Sequence, residues 1–152
     1  MIERLERLVD EVAALHSKLI LVVGPPHSGK SALLETLANN RGAPLLRLGS
    51  ELGSRLAVVP QKRRQLQSTG ILRDLADLFA KGDLLLLDNT ELLFDRSLQL
   101  DPLDLLKQLA RARRVVAVCP GQLSDGRLTY AEMGHPEHQD YGLAGFVPFV
   151  MQ

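Results

Sequence analysis

The octapeptide Gly24-Pro25-Pro26-His27-Ser28-Gly29-Lys30-Ser31 fits the pattern G-x-x-x-x-G-K-[ST], which works only where a buried strand delivers the chain into a helix N-terminus. Both flanks meet that demand. Leu19-Ile20-Leu21-Val22-Val23 is a continuous apolar run that reads as a parallel strand covered on both faces. Ser31 to Ala38 places leucines at helical spacing among good helix formers. Such a turn aims successive N–H groups, and the positive end of a helix dipole, at one point where an anion can sit. Gly24 and Gly29 permit conformations and close approaches that a Cβ would obstruct. Lys30 is placed to reach the outer phosphates of a nucleotide, and the Ser31 hydroxyl to ligate Mg²⁺. Pro25, Pro26, His27, Ser28 and Ala32 complete the binding loop, with His27 expected to project outward because the loop binds through its main chain.

Alternation of strands and helices continues down the chain. Ile2, Leu5, Leu8, Val9, Val12 and Leu15 recur at spacings of three and four, predicting an amphipathic helix over 2–17. Gly42 closes the loop-proximal helix, and 43–48 reads as a short strand. Ser50 and Glu51 are expected to cap a helix reaching Val58 and ended by Pro60. Residues 61–67 read as a helix-like or flexible connector, with the next helix over 71–80. Leu84-Leu85-Leu86-Leu87-Asp88 is a second buried strand, and Asp101-Pro102 opens a helix as N-cap and first-turn residue. A strand over 115–119 follows. The remaining 120–152 is rich in Gly and Pro, with an extended piece near 127–132 and a last strand at 146–150, where Pro148 favours a sheet edge. This order predicts one α/β domain over 1–152: a three-layer P-loop NTPase sandwich with a mostly parallel sheet. Its nucleotide-binding core is expected over 18–119.

Asp88, at the end of its strand, is the natural carboxylate to hold Mg²⁺ beside Ser31. The next position is Asn89, which can hydrogen-bond a water but cannot take its proton. Glu91 is the nearest carboxylate, and two readings stand side by side: a base for the attacking water, or a solvated residue of the turn. Arg111, Arg113 and Arg114 likewise read as an arginine finger for a neighbouring subunit or as a solvated cluster at a helix C-terminus. Gln122 is a weaker candidate as a polar sensor. Lys62, Arg63 and Arg64 lack the aromatic neighbours of a nucleic-acid surface. Cys119, His135 and His138 match no zinc spacing and read as structural.

Lysine and arginine (18) balance aspartate and glutamate (18), which argues against a nucleic-acid-coating domain and removes the repulsion that opposes self-association. A homo-oligomer is expected. The single cysteine excludes an internal disulfide, and no apolar run approaches a membrane span. Cytoplasmic location with no membrane contact is the expectation.

The segment 86–95 (Leu-Leu-Asp-Asn-Thr-Glu-Leu-Leu-Phe-Asp), the run Leu100-Asp101-Pro102-Leu103 and the segment 125–137 together resemble the BrxF family. These are small P-loop proteins of bacteriophage-exclusion (BREX) defence systems, chiefly type 3. The resemblance implies an ATP- and Mg²⁺-using subunit that acts with other BREX subunits. More distantly, Leu87-Asp88-Asn89 is similar to the AAA+/STAND branch of P-loop ATPases, here expected as a core without the helical lid. That expectation makes catalysis dependent on partners or further copies. A non-hydrolysing nucleotide switch is the alternative.

Overall fold

The computed structural model describes residues 1–14, 18–25, 27–95, 98, 100–119, 122–124, 127–130, 139–142 and 145–151, with the main chain alone described over 122–142. The first strand, β1 (Leu19–Val23), is buried at every position. Its side chains divide by alternation. Leu19, Leu21 and Val23 enter one apolar cluster, and Ile20 and Val22 enter a second, because successive residues of a strand face opposite sides of the sheet. β3 (Leu84–Asp88) and β4 (Arg114–Val118) divide the same way, with Leu85, Leu87, Val115 and Ala117 on one side and Leu86, Val116 and Val118 on the other.

Helices cover both sides. α1 (Ile2–Val12) and α2 (Lys30–Arg41) bury Leu5, Val9, Leu34 and Leu37 against one face. α3 (Leu48–Ala57), α4 (Gln61–Phe79) and α5 (Pro102–Ala112) bury Leu52, Leu72, Leu75 and Leu106 against the other. Each such leucine contributes about 1.5–3 kcal/mol of transfer free energy. With β2 (Leu45–Arg47) and β8 (Val147–Val150) the sheet runs β2-β3-β4-β1-β8. Every neighbouring pair is parallel, so the sheet expected to be mostly parallel is wholly so.

β8 lies at a sheet edge, where Pro148 is tolerated. Met151 N–H donates to the Val23 carbonyl at 2.8 Å, so the main-chain groups of Val147, Phe149 and Met151 face β1. Those of Pro148 and Val150 therefore face outward, and the missing N–H of Pro148 interrupts the exposed edge. Beyond β4, β5 (Gln122–Ser124), β6 (Arg127–Tyr130) and β7 (Gln139–Gly142) form a separate antiparallel sheet, where the sequence had predicted a single extended piece.

Several boundaries differ from the sequence reading. α1 ends at Val12 rather than at 17, with residues 15–17 outside the described set. α3 starts at Leu48, with Arg47 and not Ser50 or Glu51 at its cap, because Leu48, Leu52 and Leu56 form a buried row at i, i+4 that the sheet requires as helix. Residues 61–67, expected as a helix-like or flexible connector, are helical and form the first third of α4, entered directly from Pro60. Gln, Lys and Arg are good helix formers, and the Ser68 hydroxyl donates back to the Gln65 carbonyl at 3.2 Å, so that residue sits inside the helix. Asp101 caps α5 as expected, its carboxylate accepting from Asp104 N–H at 3.2 Å.

Candidate active site

Parallel strands bring the carboxyl ends of β1 and β3 to one rim, the edge at which α/β sheets bind ligands. The chain leaves β1 at Gly24. A Cβ at this position would lie 2.8 Å from the Met151 Cβ and 3.1 Å from the Ser28 hydroxyl, so glycine is required by contact. His27 (φ 62°) and Gly29 (φ 90°) adopt left-handed backbone, and Gly29 is the N-cap of α2. That conformation leaves the first-turn N–H groups of α2 facing the loop interior. Among the described residues the buried Ser28 Oγ has no hydrogen-bond partner. Pro25 and His27 are exposed, as is Ala32 in the first turn of α2, while Pro26 lies outside the described residues.

Lys30 Nζ folds back to donate to the carbonyls of Gly24 (2.6 Å) and Pro25 (3.3 Å), spanning the loop. Burial holds this ammonium below the ordinary lysine range, and the nearby Glu91 carboxylate opposes that shift. Ser31 Oγ donates to Asp88 Oδ1 at 2.9 Å, joining residues 57 positions apart. Asp88 is 4% exposed and also accepts the Asn89 N–H at 2.9 Å. A hydroxyl and a carboxylate are hard oxygen donors of the kind Mg²⁺ takes, usually keeping waters and phosphate oxygens as its other ligands. Among the described residues no cluster of three or more His, Cys, Asp or Glu is assembled. The pair therefore fits a cation shared with a phosphate ligand better than an all-protein metal cage.

Asn89 (φ 55°) turns the chain out of β3 into a 3₁₀ helix, Thr90–Phe94. Asn tolerates this left-handed position better than most residues. The buried Thr90 hydroxyl then donates to the Val118 carbonyl at 2.7 Å, fastening the 3₁₀ helix to the end of β4. Glu91, the next residue, is exposed and close enough for its charge to act on Lys30. Neither Thr90 nor Met151 was signalled in the sequence, because one meets a main-chain carbonyl 28 positions away and the other meets a glycine.

The arginine cluster lies at the opposite, amino-end rim of the sheet, where β4 begins. Arg113 donates to Asp77 at 2.7 Å. Arg114 grips both Asp83 oxygens at 3.0 and 2.8 Å and reaches the Val9 carbonyl at 3.1 Å. Arg111 is exposed. None of the three is hydrogen-bonded to a described residue of the 24–31 loop. The hydrogen bonds from Arg114 hold the Asp83 carboxyl below its ordinary range, so its contribution is present above that range and is lost as pH falls through the folded-state value. Asp83→Asn is expected to cost under about 1 kcal/mol at pH 7, since the carboxylate is half-exposed. Urea titrations should show that difference vanishing in acid.

Lys62 and Arg63 are exposed on the first turn of α4, and Arg64 Nε donates to the Val59 carbonyl at 3.0 Å. Cys119 is buried in the core. Gln122 opens β5, with its side chain outside the described set, and His135 and His138 fall outside the described residues altogether. Among the described residues no helix is long and apolar enough to cross a membrane.

No protein-family model and no curated protein matches the chain. Solved structures do. A crystal structure of a DNA replication initiation factor superposes with a TM-score of 0.51 at 13% identity, covering 99% of this chain and 44% of that one. PCH-2 of C. elegans aligns at 17% identity with a TM-score of 0.40, over 78% of this chain and 35% of that one. The chain thus spans less than half the length of either protein. Its all-parallel sheet, two helical layers and the first of these likenesses identify the three-layer P-loop NTPase fold.

Proposed function

We propose that the chain binds ATP with Mg²⁺ in the 24–32 loop and hydrolyses it slowly, with turnover that depends on partners or further copies. The observation that carries this reading is the 2.9 Å contact between Ser31 and Asp88, which sets a hydroxyl and a buried carboxylate beside the glycine loop. In this reading Lys30 leaves the Gly24 and Pro25 carbonyls to bind the outer phosphates. The main-chain amides of Gly24, His27, Ser28, Gly29, Lys30, Ser31 and Ala32 surround them, and Pro25 and Pro26 complete the loop's sequence. Ser31 and Asp88 hold Mg²⁺, which supplies neutralisation of the phosphate charge. Glu91 orients the attacking water and accepts its proton, held in place by the Thr90–Val118 bond. An arginine from 111, 113 or 114 of a second copy is the candidate for completing the site.

The similarity of 86–95, 100–103 and 125–137 to the BrxF family supports placing this activity in a BREX phage-defence complex, in the cytoplasm, with other BREX subunits as partners. The balanced net charge gives no support for direct nucleic-acid contact. A second reading, a nucleotide switch that does not hydrolyse, is favoured by Asn89 standing where an acid would activate water, and by the solvent exposure of Glu91.

Phosphate release from the purified chain, measured across a concentration series, separates the two. A rate per subunit that climbs with concentration supports shared-site hydrolysis, and no release at any concentration supports the switch. Glu91→Gln is expected to leave ATP affinity unchanged and lower turnover by about 10²-fold or more. An unchanged rate would remove Glu91 from the mechanism.

A further inference from the structure

β2 ends at Arg47, which the parallel register sets beside Asp88 at the end of β3. Neighbouring strands lie about 4.8 Å apart, so the two residues close adjacent strands on one rim. Their side chains share a face. Leu45 packs with Leu84 and Leu86 in the cluster beneath α2, and Leu46 joins Leu85 and Leu87 in the other. Alternation along each strand then returns Arg47 and Asp88 to the α2 side. The hydrogen bonds agree: Asp88 accepts from Ser31, and Arg47 Nη2 donates to Glu35 Oε1, each at 2.9 Å.

Ser31 and Glu35 are four residues apart on α2 and stand one above the other, about one 5.4 Å turn apart. The guanidinium is thus held one helical turn from the hydroxyl, and one strand from the carboxylate, that fit Mg²⁺. The sheet runs β2-β3-β4-β1, so a ligand that extends from the glycine loop after β1 to Asp88 on β3 has Arg47 next along its line. Arg47 and Glu35 are 53% and 51% exposed. An ion pair in that setting holds weakly, whereas a guanidinium grips a phosphate through two parallel charge-assisted bonds. A phosphate beside Asp88 therefore outcompetes Glu35 for this side chain.

We infer that Arg47 is a phosphate-binding residue of this site, leaving Glu35 to grip the terminal phosphate when ATP enters. The inference rests on the nucleotide reading given above. Glu35 keeps the cation at the rim of the empty site and competes with the phosphate for it. ADP lacks that phosphate and leaves the Arg47–Glu35 pair closed.

Calorimetric titration of the full chain with ATP and with ADP, both in Mg²⁺, tests this. Arg47→Ala is expected to lower ATP affinity at least about 10-fold and to leave ADP affinity unchanged. Arg47→Lys, which keeps the charge and loses the fork, should fall between. Glu35→Gln removes the competitor and should raise ATP affinity about 2- to 5-fold, again without effect on ADP. Arg47→Ala and Glu35→Gln abolish the same ion pair, so a merely structural role would move both in one direction, whereas opposite signs are expected here. A wild-type chain that binds neither nucleotide overturns the nucleotide reading and this inference with it. A wild-type chain that binds ATP, with Arg47→Ala keeping the wild-type ratio of ATP to ADP affinity or Glu35→Gln losing ATP affinity, overturns this inference alone.

Discussion

Lys30→Ala is expected to abolish nucleotide binding while leaving the fold intact. The ammonium is the one long cation rooted in the phosphate loop, and in the free protein it is held by two main-chain carbonyls at 2.6 and 3.3 Å. Those bonds keep it at the mouth of the loop, where phosphate oxygens would replace the carbonyls as acceptors. Charge-assisted bonds to phosphate are roughly twice as strong as neutral ones, and truncating one partner of a desolvated charge pair costs about 2–5 kcal/mol. Unliganded stability should change little, because burial already disfavours the charged lysine and its removal relieves that penalty. The measurement is a thermal shift with Mg²⁺ and ATP. At a ligand concentration of about 100 Kd a wild-type chain gains about 2.7 kcal/mol, and the variant should gain nothing. A full shift in the variant would show that the loop grips its ligand without Lys30.

Asp88→Asn is expected to erase the Mg²⁺ dependence of nucleotide affinity. The amide oxygen can still accept from Ser31 and from the Asn89 N–H, so the contacts at 2.9 Å that shape the end of β3 are kept. What disappears is the negative charge and the hard anionic oxygen that Mg²⁺ prefers. Wild-type affinity for ATP should fall at least about 10-fold, or 1.4 kcal/mol, when EDTA removes the metal. The variant should bind with one affinity in both buffers. An equal response to EDTA in the two proteins would take Asp88 out of the metal site.

The parts of this molecule legible in its sequence are those governed by local pattern. Apolar runs at 19–23 and 84–88 announce buried strands because both faces of a parallel sheet are covered, and Gly42 and Asp101-Pro102 mark helix ends through their own backbone preferences. The glycine loop and Asp88 were legible for the same reason, since their spacing along the chain reflects the strand–helix unit that holds them. Boundaries decided by tertiary contact were not. Leu48 looks like strand in isolation, yet its burial with Leu52 and Leu56 makes it the first residue of a helix. The polar stretch 61–67 reads as either helix or flexible connector, and its continuity with the buried Leu72 and Leu75 of the same helix decides for helix. Thr90 and Met151 belong to the site only because the sheet order brings β4 and β8 alongside β1.

That sheet order also bears on how the molecule is assembled. β1 is the first strand to be made, but its two neighbours, β4 and β8, come from late in the chain, and the residue beneath Gly24 is Met151. Long-range parallel pairing forms slowly, because loop closure must precede the contacts that reward it. The strand that precedes the glycine loop therefore waits, unflanked, until residues 114–150 have been made. On the proposed function, a competent binding loop becomes a late product of folding, and nucleotide binding would report that β8 has closed on β1.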